Sequence, residues 1–141
     1  MALLEKELEI RPSNIPGSGQ GLYTKTFIPK GTRIIEYTGK ITTWKEVKDD
    51  FTNVYLYTIK PSHVIDARKR KKSLARYAND AKGLTRIKGL SNNAEFLNEG
   101  LKAFIIATKN INPGEEILVN YGKAYWDTVR ENNKIDRQNG A

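Results

Sequence analysis

The sequence contains no cysteine. That excludes disulfides, thiolate zinc sites and cysteine nucleophiles together, and it fits a reducing compartment. There is one histidine, His63, which argues against a histidine cluster or a histidine-built metal site. Placed beside Pro61-Ser62, it reads as a surface turn residue. No apolar run approaches the ~20 residues that a membrane span needs. The opening Met1-Ala2-Leu3-Leu4-Glu5-Lys6 lacks the apolar stretch of a secretory signal. An intracellular protein is therefore expected, with no membrane partner. Alternation of strands with long amphipathic helices is also missing, which disfavours a parallel doubly wound sheet.

What is present fits one globular domain. A length of 141 residues allows a real hydrophobic core but not two ordinary domains. With 38% hydrophobic and 28% charged residues, the chain is globular rather than disordered. The formal charge of +8 permits nucleic-acid or acidic partners without requiring them. Its densest block is Arg68-Lys69-Arg70-Lys71-Lys72. The block has no interleaved aromatics of the kind that stack on single strands, so it reads first as a solvated loop and second as a contact with phosphate.

Short strands are expected at 8–11, 22–27, 32–37, 54–59, 64–67, 94–98, 101–107 and 117–119, from alternation and from β-branched and aromatic content. Residues 42–48 read as a short helix, with Thr43 as N-cap and Glu46 as its capping-box partner. Residues 73–78 read as a helical turn, and 123–131 as another short helix before a polar tail at 132–141. Residues 12–21, Pro12-Ser13-Asn14-Ile15-Pro16-Gly17-Ser18-Gly19-Gln20-Gly21, form a glycine-rich loop that lets a ligand approach the main chain. It feeds a strand, not a helix, so it is not a dinucleotide or phosphate loop. In the stretch Pro113-Gly114-Glu115-Glu116-Ile117-Leu118-Val119-Asn120-Tyr121-Gly122, a turn leads into a buried strand. A glycine then releases the strand just after Tyr121. A tyrosine so placed has a fixed backbone and a hydroxyl near a cleft, though most tyrosines of this kind are packing residues.

Four stretches occur in one order: Gly17-Ser18-Gly19-Gln20-Gly21-Leu22-Tyr23, Glu36-Tyr37-Thr38-Gly39, Arg76-Tyr77-Ala78-Asn79-Asp80-Ala81, and Gly114 through Gly122. Tyr55-Leu56-Tyr57 and Val64-Ile65-Asp66-Ala67 support them. Together they resemble the SET domain of protein-lysine methyltransferases, in a compact, cysteine-free form of the bacterial or viral type. The resemblance covers about residues 8–126. It implies a mainly β fold with short helices, in which several small curved β-sheets surround a pseudoknot. The segment ending in Tyr121 would pass beneath the loop carrying Asn79-Asp80. Residues 1–141 would form a single SET domain, with its core at about 8–131.

The resemblance also implies S-adenosyl-L-methionine as cofactor and a lysine of a protein substrate as methyl acceptor, the two entering from opposite faces. Ser18, Gly19 and Gln20 would lie along the cofactor. Tyr55, Asn79 and Asp80 would contact it, the last two largely through main chain. Trp126 would stack on its adenine, worth ~1–3 kcal/mol by analogy with base stacking. Tyr121 matches the catalytic tyrosine, and Tyr37, Phe96 and Tyr125 match the substrate channel. No metal is implied. A lysine with a reference pKa of ~10.4 must lose its proton before attack. An apolar channel and a nearby sulfonium both favour the neutral amine.

The sequence departs from the family pattern at several points. Asp80 replaces the usual histidine, and residues 79–93 hold an insertion. Val119 stands where many members carry Phe or Tyr. The methylation multiplicity is left open. The alternative reading is a catalytically inactive SET-fold module that contacts nucleic acid or an acidic protein through its basic surface, Arg68 to Lys72 included. A histone-like or other basic substrate would need a locally acidic groove, for example near Asp49-Asp50 or Glu95 and Glu99. The protein is expected as monomer or homodimer.

Overall fold

The structure is a computed structural model and describes residues 3–49, 55–69, 73–81 and 89–121. Strands in chain order are β1 (Leu8–Pro12), β2 (Gln20–Thr24), β3 (Arg33–Glu36), β4 (Lys40–Thr42), β5 (Leu56–Lys60), β6 (His63–Asp66), β7 (Ala94–Glu99), β8 (Lys102–Ala107) and β9 (Val119–Asn120). One short helix, α1 (Trp44–Val47), and 3-10 turns at Glu5–Glu7 and Leu74–Tyr77 complete the described elements. Among the described residues no helix is long and apolar enough to cross a membrane.

The strands form three small sheets, ordered β1-β2, β3-β8-β7-β9 and β4-β6-β5. Every pairing is antiparallel except β7 with β9. β8 is the central strand, because Ala103, Phe104, Ile105 and Ala107 are all buried. The core also takes Leu22, Ile28, Ile34, Ile111, Ile117 and Val119, each fully buried. Burying each such Ile or Leu contributes roughly 1.5–3 kcal/mol. This is the mainly β architecture of several small sheets that the resemblance implied.

The segment 116–121 crosses three partners in succession. Glu116 bridges Tyr23 in antiparallel fashion, Leu118 bridges Asn79 in parallel, and Val119 pairs with Ala94. The Val119 N–H donates to the Asn79 carbonyl at 2.7 Å. This is the knot-like crossing of the Tyr121 segment with the 79–80 loop. The segment has so many partners that only two of its residues count as strand, fewer than apolar content suggests.

Other expectations need correction. β4 is an additional strand that polar Thr38-Gly39-Lys40 conceals. It exists because β6 offers it a partner edge, with Lys40, Ile41 and Thr42 opposite Asp66, Ile65 and Val64. β2 starts at Gln20, inside the expected loop, and ends at Thr24, where the Thr24 Oγ1 donates to the Thr26 carbonyl at 2.7 Å and turns the chain. Thr43 occupies the N-cap position of α1 but makes no side-chain capping bond. The Glu46 carboxylate accepts from Thr42 Oγ1 instead, at 2.8 Å. His63 is the half-buried first residue of β6 rather than part of the turn. Val54, the helix expected at 123–131 and the polar tail lie outside the described residues.

Gly39 marks the closest backbone approach. A Cβ there would sit 2.4 Å from the Asp66 carbonyl oxygen and 2.8 Å from the Ala67 nitrogen. Main chain cannot rotate aside as a side chain can, so Gly39→Ala must push β4 off β6. We expect a loss of about 1–3 kcal/mol, the usual range for overpacking. Urea unfolding of the variant against the parent checks it, and an unchanged midpoint would contradict this packing.

Candidate active site

Tyr121 is half-buried and held at both ends by the loop it crosses. Its phenol donates to the Ala78 carbonyl. Its backbone N–H donates to Asp80 Oδ2 at 2.9 Å. Asp80 is only 5% exposed, and its Oδ1 accepts from Asn92 Nδ2 at 2.8 Å. Asn92 Oδ1 in turn accepts from the Ala81 N–H at 2.8 Å. The carboxylate that replaces the family's histidine is thus turned inward, onto the backbone of Tyr121, and carries hydrogen bonds that a buried charge requires.

The same loop reaches the glycine-rich loop. Asn79 Nδ2 donates to the Gln20 carbonyl at 3.0 Å. Gly17 and Gly19 have φ of +79° and +64°, the left-handed region that other residues rarely enter. At both positions the space a Cβ would occupy is open. Gly19 and Gln20 are exposed and Ser18 is half-exposed. A continuous hydrogen-bonded path therefore joins Gln20, Asn79, Asp80 and Tyr121, four residues that the sequence motifs singled out.

Three aromatic rings gather beside Tyr121. Its ring lies 6.2 Å from that of Phe96. Phe96 meets Tyr37 edge-on at 5.9 Å and Tyr57 at 4.8 Å. Tyr37 and Tyr57 are 5.8 Å apart. The Tyr37 hydroxyl donates to the Tyr55 carbonyl at 2.7 Å, and that of Tyr57 to Asn98 Oδ1 at 2.6 Å. The Arg76 guanidinium lies 4.1 Å from the centre of the Tyr55 ring and donates to the Ala67 and Arg68 carbonyls at 2.8 and 2.7 Å. Tyr37, Phe96, Tyr55 and Tyr121 are thus brought together. Tyr57 joins them although the supporting stretch Tyr55-Leu56-Tyr57 assigns it no site role; its spacing of two from Tyr55 was the available signal. Tyr125 and Trp126 lie outside the described residues.

Two further polar residues were missed. Asn93, nearly buried, accepts from the Leu118 N–H and donates to the Glu116 carbonyl, both at 2.9 Å. Glu116 is 4% exposed and accepts from Ser13 Oγ at 2.7 Å and the Asn14 N–H at 2.9 Å. Glu116 lies within the Gly114–Gly122 stretch, but its role, like that of Asn93, depends on partners far away in sequence. The suggested acidic groove at Glu95 and Glu99 is corrected. Alternation along β7 puts both on the face opposite Phe96, where Glu99 pairs with Arg33 over the Phe104 ring. Of the basic block, Arg68 and Lys69 are described and exposed; the rest is not described.

Small sheets around a parallel crossing, with a tyrosine held at the crossing, define a class of fold before any comparison is made. A family model described as the SET domain matches residues 19–122, and the chain belongs to that family. It is 28% identical over 128 residues to the N-lysine methyltransferase KMT5A-A of Xenopus laevis, an alignment covering 83% of this chain and 37% of that protein. The chain thus spans little more than a third of that relative. The methyltransferase domain of human PR domain-containing protein 2 superposes with a TM-score of 0.63 at 28% identity, over 82% of this chain and 77% of that one. ctPRC2 in an autoinhibited conformation, bound to S-adenosylmethionine, superposes with a TM-score of 0.69 over 96% of this chain and 17% of that one. At 22% identity, that likeness is one of fold.

Two tyrosines have hydroxyls harder to ionise than the ordinary 10.0. Burial raises Tyr57, and burial followed by the neighbouring Glu116 carboxylate raises Tyr23. Below pH 10 both are neutral whether folded or not. As pH climbs past 10, the unfolded chain ionises first, so stability falls from there up to the raised folded values. Absorbance titration of tyrosinate should show a late component that shrinks in Tyr57→Phe and in Tyr23→Phe. Unchanged titration curves in both variants would contradict this.

Proposed function

We propose that the domain transfers a methyl group from S-adenosyl-L-methionine to the ε-amine of a protein lysine. The observation that carries this reading is the hydrogen-bonded path from Gln20 through the 78–80 loop to Tyr121, with an aromatic cluster on Tyr121's flank. The residues fit the cofactor. The side of the loop where a Cβ at Gly17 or Gly19 would project is open, which leaves room for a ligand to lie on the main chain. The Asp80 carboxylate points to Tyr121 N and Asn92, so its main chain is left to the cofactor's side. Ser18, Gly19, Gln20, Tyr55, Asn79 and Asp80 would hold the cofactor, with Trp126 as stacking partner. When bound, it supplies an electrophilic methyl group on a sulfonium.

The chain's own residues then account for the acceptor side. Rings of Tyr37, Tyr57, Phe96 and Tyr121 make an apolar surround that excludes water. Desolvation there lowers an amine's pKa from its reference ~10.4 and raises the neutral, nucleophilic fraction. A tyrosine hydroxyl that donates to the Ala78 carbonyl still has oxygen lone pairs that can accept from an amine N–H. Fixing the amine's direction is the main source of rate, since alignment of two reactants can supply several kcal/mol of the barrier. Tyr121 is therefore the catalytic residue of this reading, and Tyr37, Tyr57 and Phe96 form the channel. The whole chain is read as one such domain. Its partner is a protein that presents a lysine, and residues 68–72 offer a contact for phosphate or acidic groups.

Two variants test the reading. Tyr121→Phe should bind S-adenosyl-L-methionine as the parent does and lose ~100-fold or more in turnover, the scale of a lost transition-state hydrogen-bonding group. Methyl transfer to a lysine-peptide panel, alongside calorimetry, measures both; full activity in the variant would remove Tyr121 from the mechanism. Gly19→Val places a branched side chain at positive φ on the cofactor face. It should abolish saturable binding of the cofactor in calorimetry while the protein stays folded. A parent protein that binds no cofactor, yet binds nucleic acid with steep salt dependence, would instead favour a non-enzymatic module.

A further inference from the structure

The proposed chemistry makes no use of Glu116, yet this buried carboxylate sits at the junction of three segments. It is 4% exposed. Its Oε2 accepts from the Ser13 hydroxyl at 2.7 Å, and its Oε1 from the Asn14 N–H at 2.9 Å, with Tyr23 Oη at 3.5 Å. Ser13 is itself a relay. Its Oγ accepts from the Ile15 N–H at 3.1 Å, and its N–H donates to the Gly19 carbonyl at 2.8 Å. The carboxylate is therefore two hydrogen bonds from the exposed glycine on which the cofactor would lie. Gly21 has been cleared for it: a Cβ there would stand 2.3 Å from Oε2. On its main-chain side, the Glu116 carbonyl accepts from Asn93 Nδ2, the same side chain that fixes Leu118.

We propose that Glu116 is a positioning residue. It holds the glycine-rich loop in a cofactor-ready shape and sets that loop at a fixed offset from the Tyr121 segment. The inference rests on the methyltransferase reading for its consequence, but not for the loop ordering itself. A charged acceptor suits the role, because ionised acceptors make the stronger hydrogen bonds and an uncompensated donor in the loop would be costly.

The test uses the full chain with Glu116→Ala, Glu116→Gln and Ser13→Ala. In the unliganded protein, amide hydrogen exchange across residues 14–20 should quicken in Glu116→Ala while Ile105 in the central strand keeps its protection. Calorimetry with S-adenosyl-L-methionine should show a Kd raised about tenfold or more, the scale of one charged hydrogen bond lost. In turnover, KM for the cofactor should rise by a larger factor than kcat falls. Glu116→Gln keeps an oxygen for Asn14, and Ser13 Oγ can rotate to accept from its amide, so this variant should recover most of the affinity. Ser13→Ala leaves the buried carboxylate in place and should move exchange and Kd in the same direction. It stands in if Glu116→Ala does not fold. Parental exchange and parental Kd in the variants would overturn the proposal. If the parent binds no cofactor, the methyltransferase reading fails, and the exchange experiment alone decides whether Glu116 orders the loop.

Discussion

The parallel contact between Asn79 and Leu118 is the constraint on which the rest of the site depends. It has few backbone bonds of its own, the shortest running from the Val119 N–H to the Asn79 carbonyl. A parallel pairing this short is weak alone. It persists because side chains on both flanks are committed to it. The Asn93 amide ties Leu118 and Glu116 on one side, and the Asp80 carboxylate ties Tyr121 on the other. With the crossing in place, Asn79 reaches Gln20 and the phenol of Tyr121 reaches Ala78. The glycine-rich loop and Tyr121 are thus positioned by a single junction.

Two buried carboxylates serve that junction in different ways. Asp80 acts over a short range, on the backbone of the catalytic-candidate tyrosine. Glu116 acts outward, on the glycine-rich loop. Asp80 accepts from the Tyr121 N–H and Asn92 Nδ2, and Glu116 from Ser13 Oγ and the Asn14 N–H. Such an arrangement avoids leaving a charge without partners in a low-dielectric interior and gives directional bonds instead. The Asp80 carboxylate thus serves to hold the backbone of Tyr121.

Much of this was legible in the sequence. Strands with clear alternation or β-branched content, such as β1, β7 and β8, lie close to where their residues suggested. The tyrosines at 37, 55 and 121, Phe96 and the 79–80 loop were marked by motifs and do meet in space. What could not be read depends on distant partners. β4 has little strand character of its own and is recruited by β6. Thr43 looks like a cap, but Thr42 holds Glu46, because the chain enters α1 from a strand. Tyr57 and Glu116 lie inside the motif stretches and Asn93 outside them, but all three acquire their roles only from residues brought to them by the fold. Glu95 and Glu99 show the reverse: their charge was visible, but strand alternation puts them on the face opposite Phe96.

The bond between Ser13 and Glu116 joins residues 103 positions apart. Local hairpins such as β7-β8 can close within microseconds, whereas a contact of this separation must wait for most of the chain to be arranged. During synthesis the glycine-rich loop leaves the ribosome before residue 116, so its bond to that carboxylate forms only after the later segment has followed. The glycine-rich loop therefore takes its final hydrogen bonds only after the segment around residue 116 is in place. A nascent chain halted before that residue would lack the carboxylate that receives Ser13 Oγ and the Asn14 N–H, so the loop's shape is completed late.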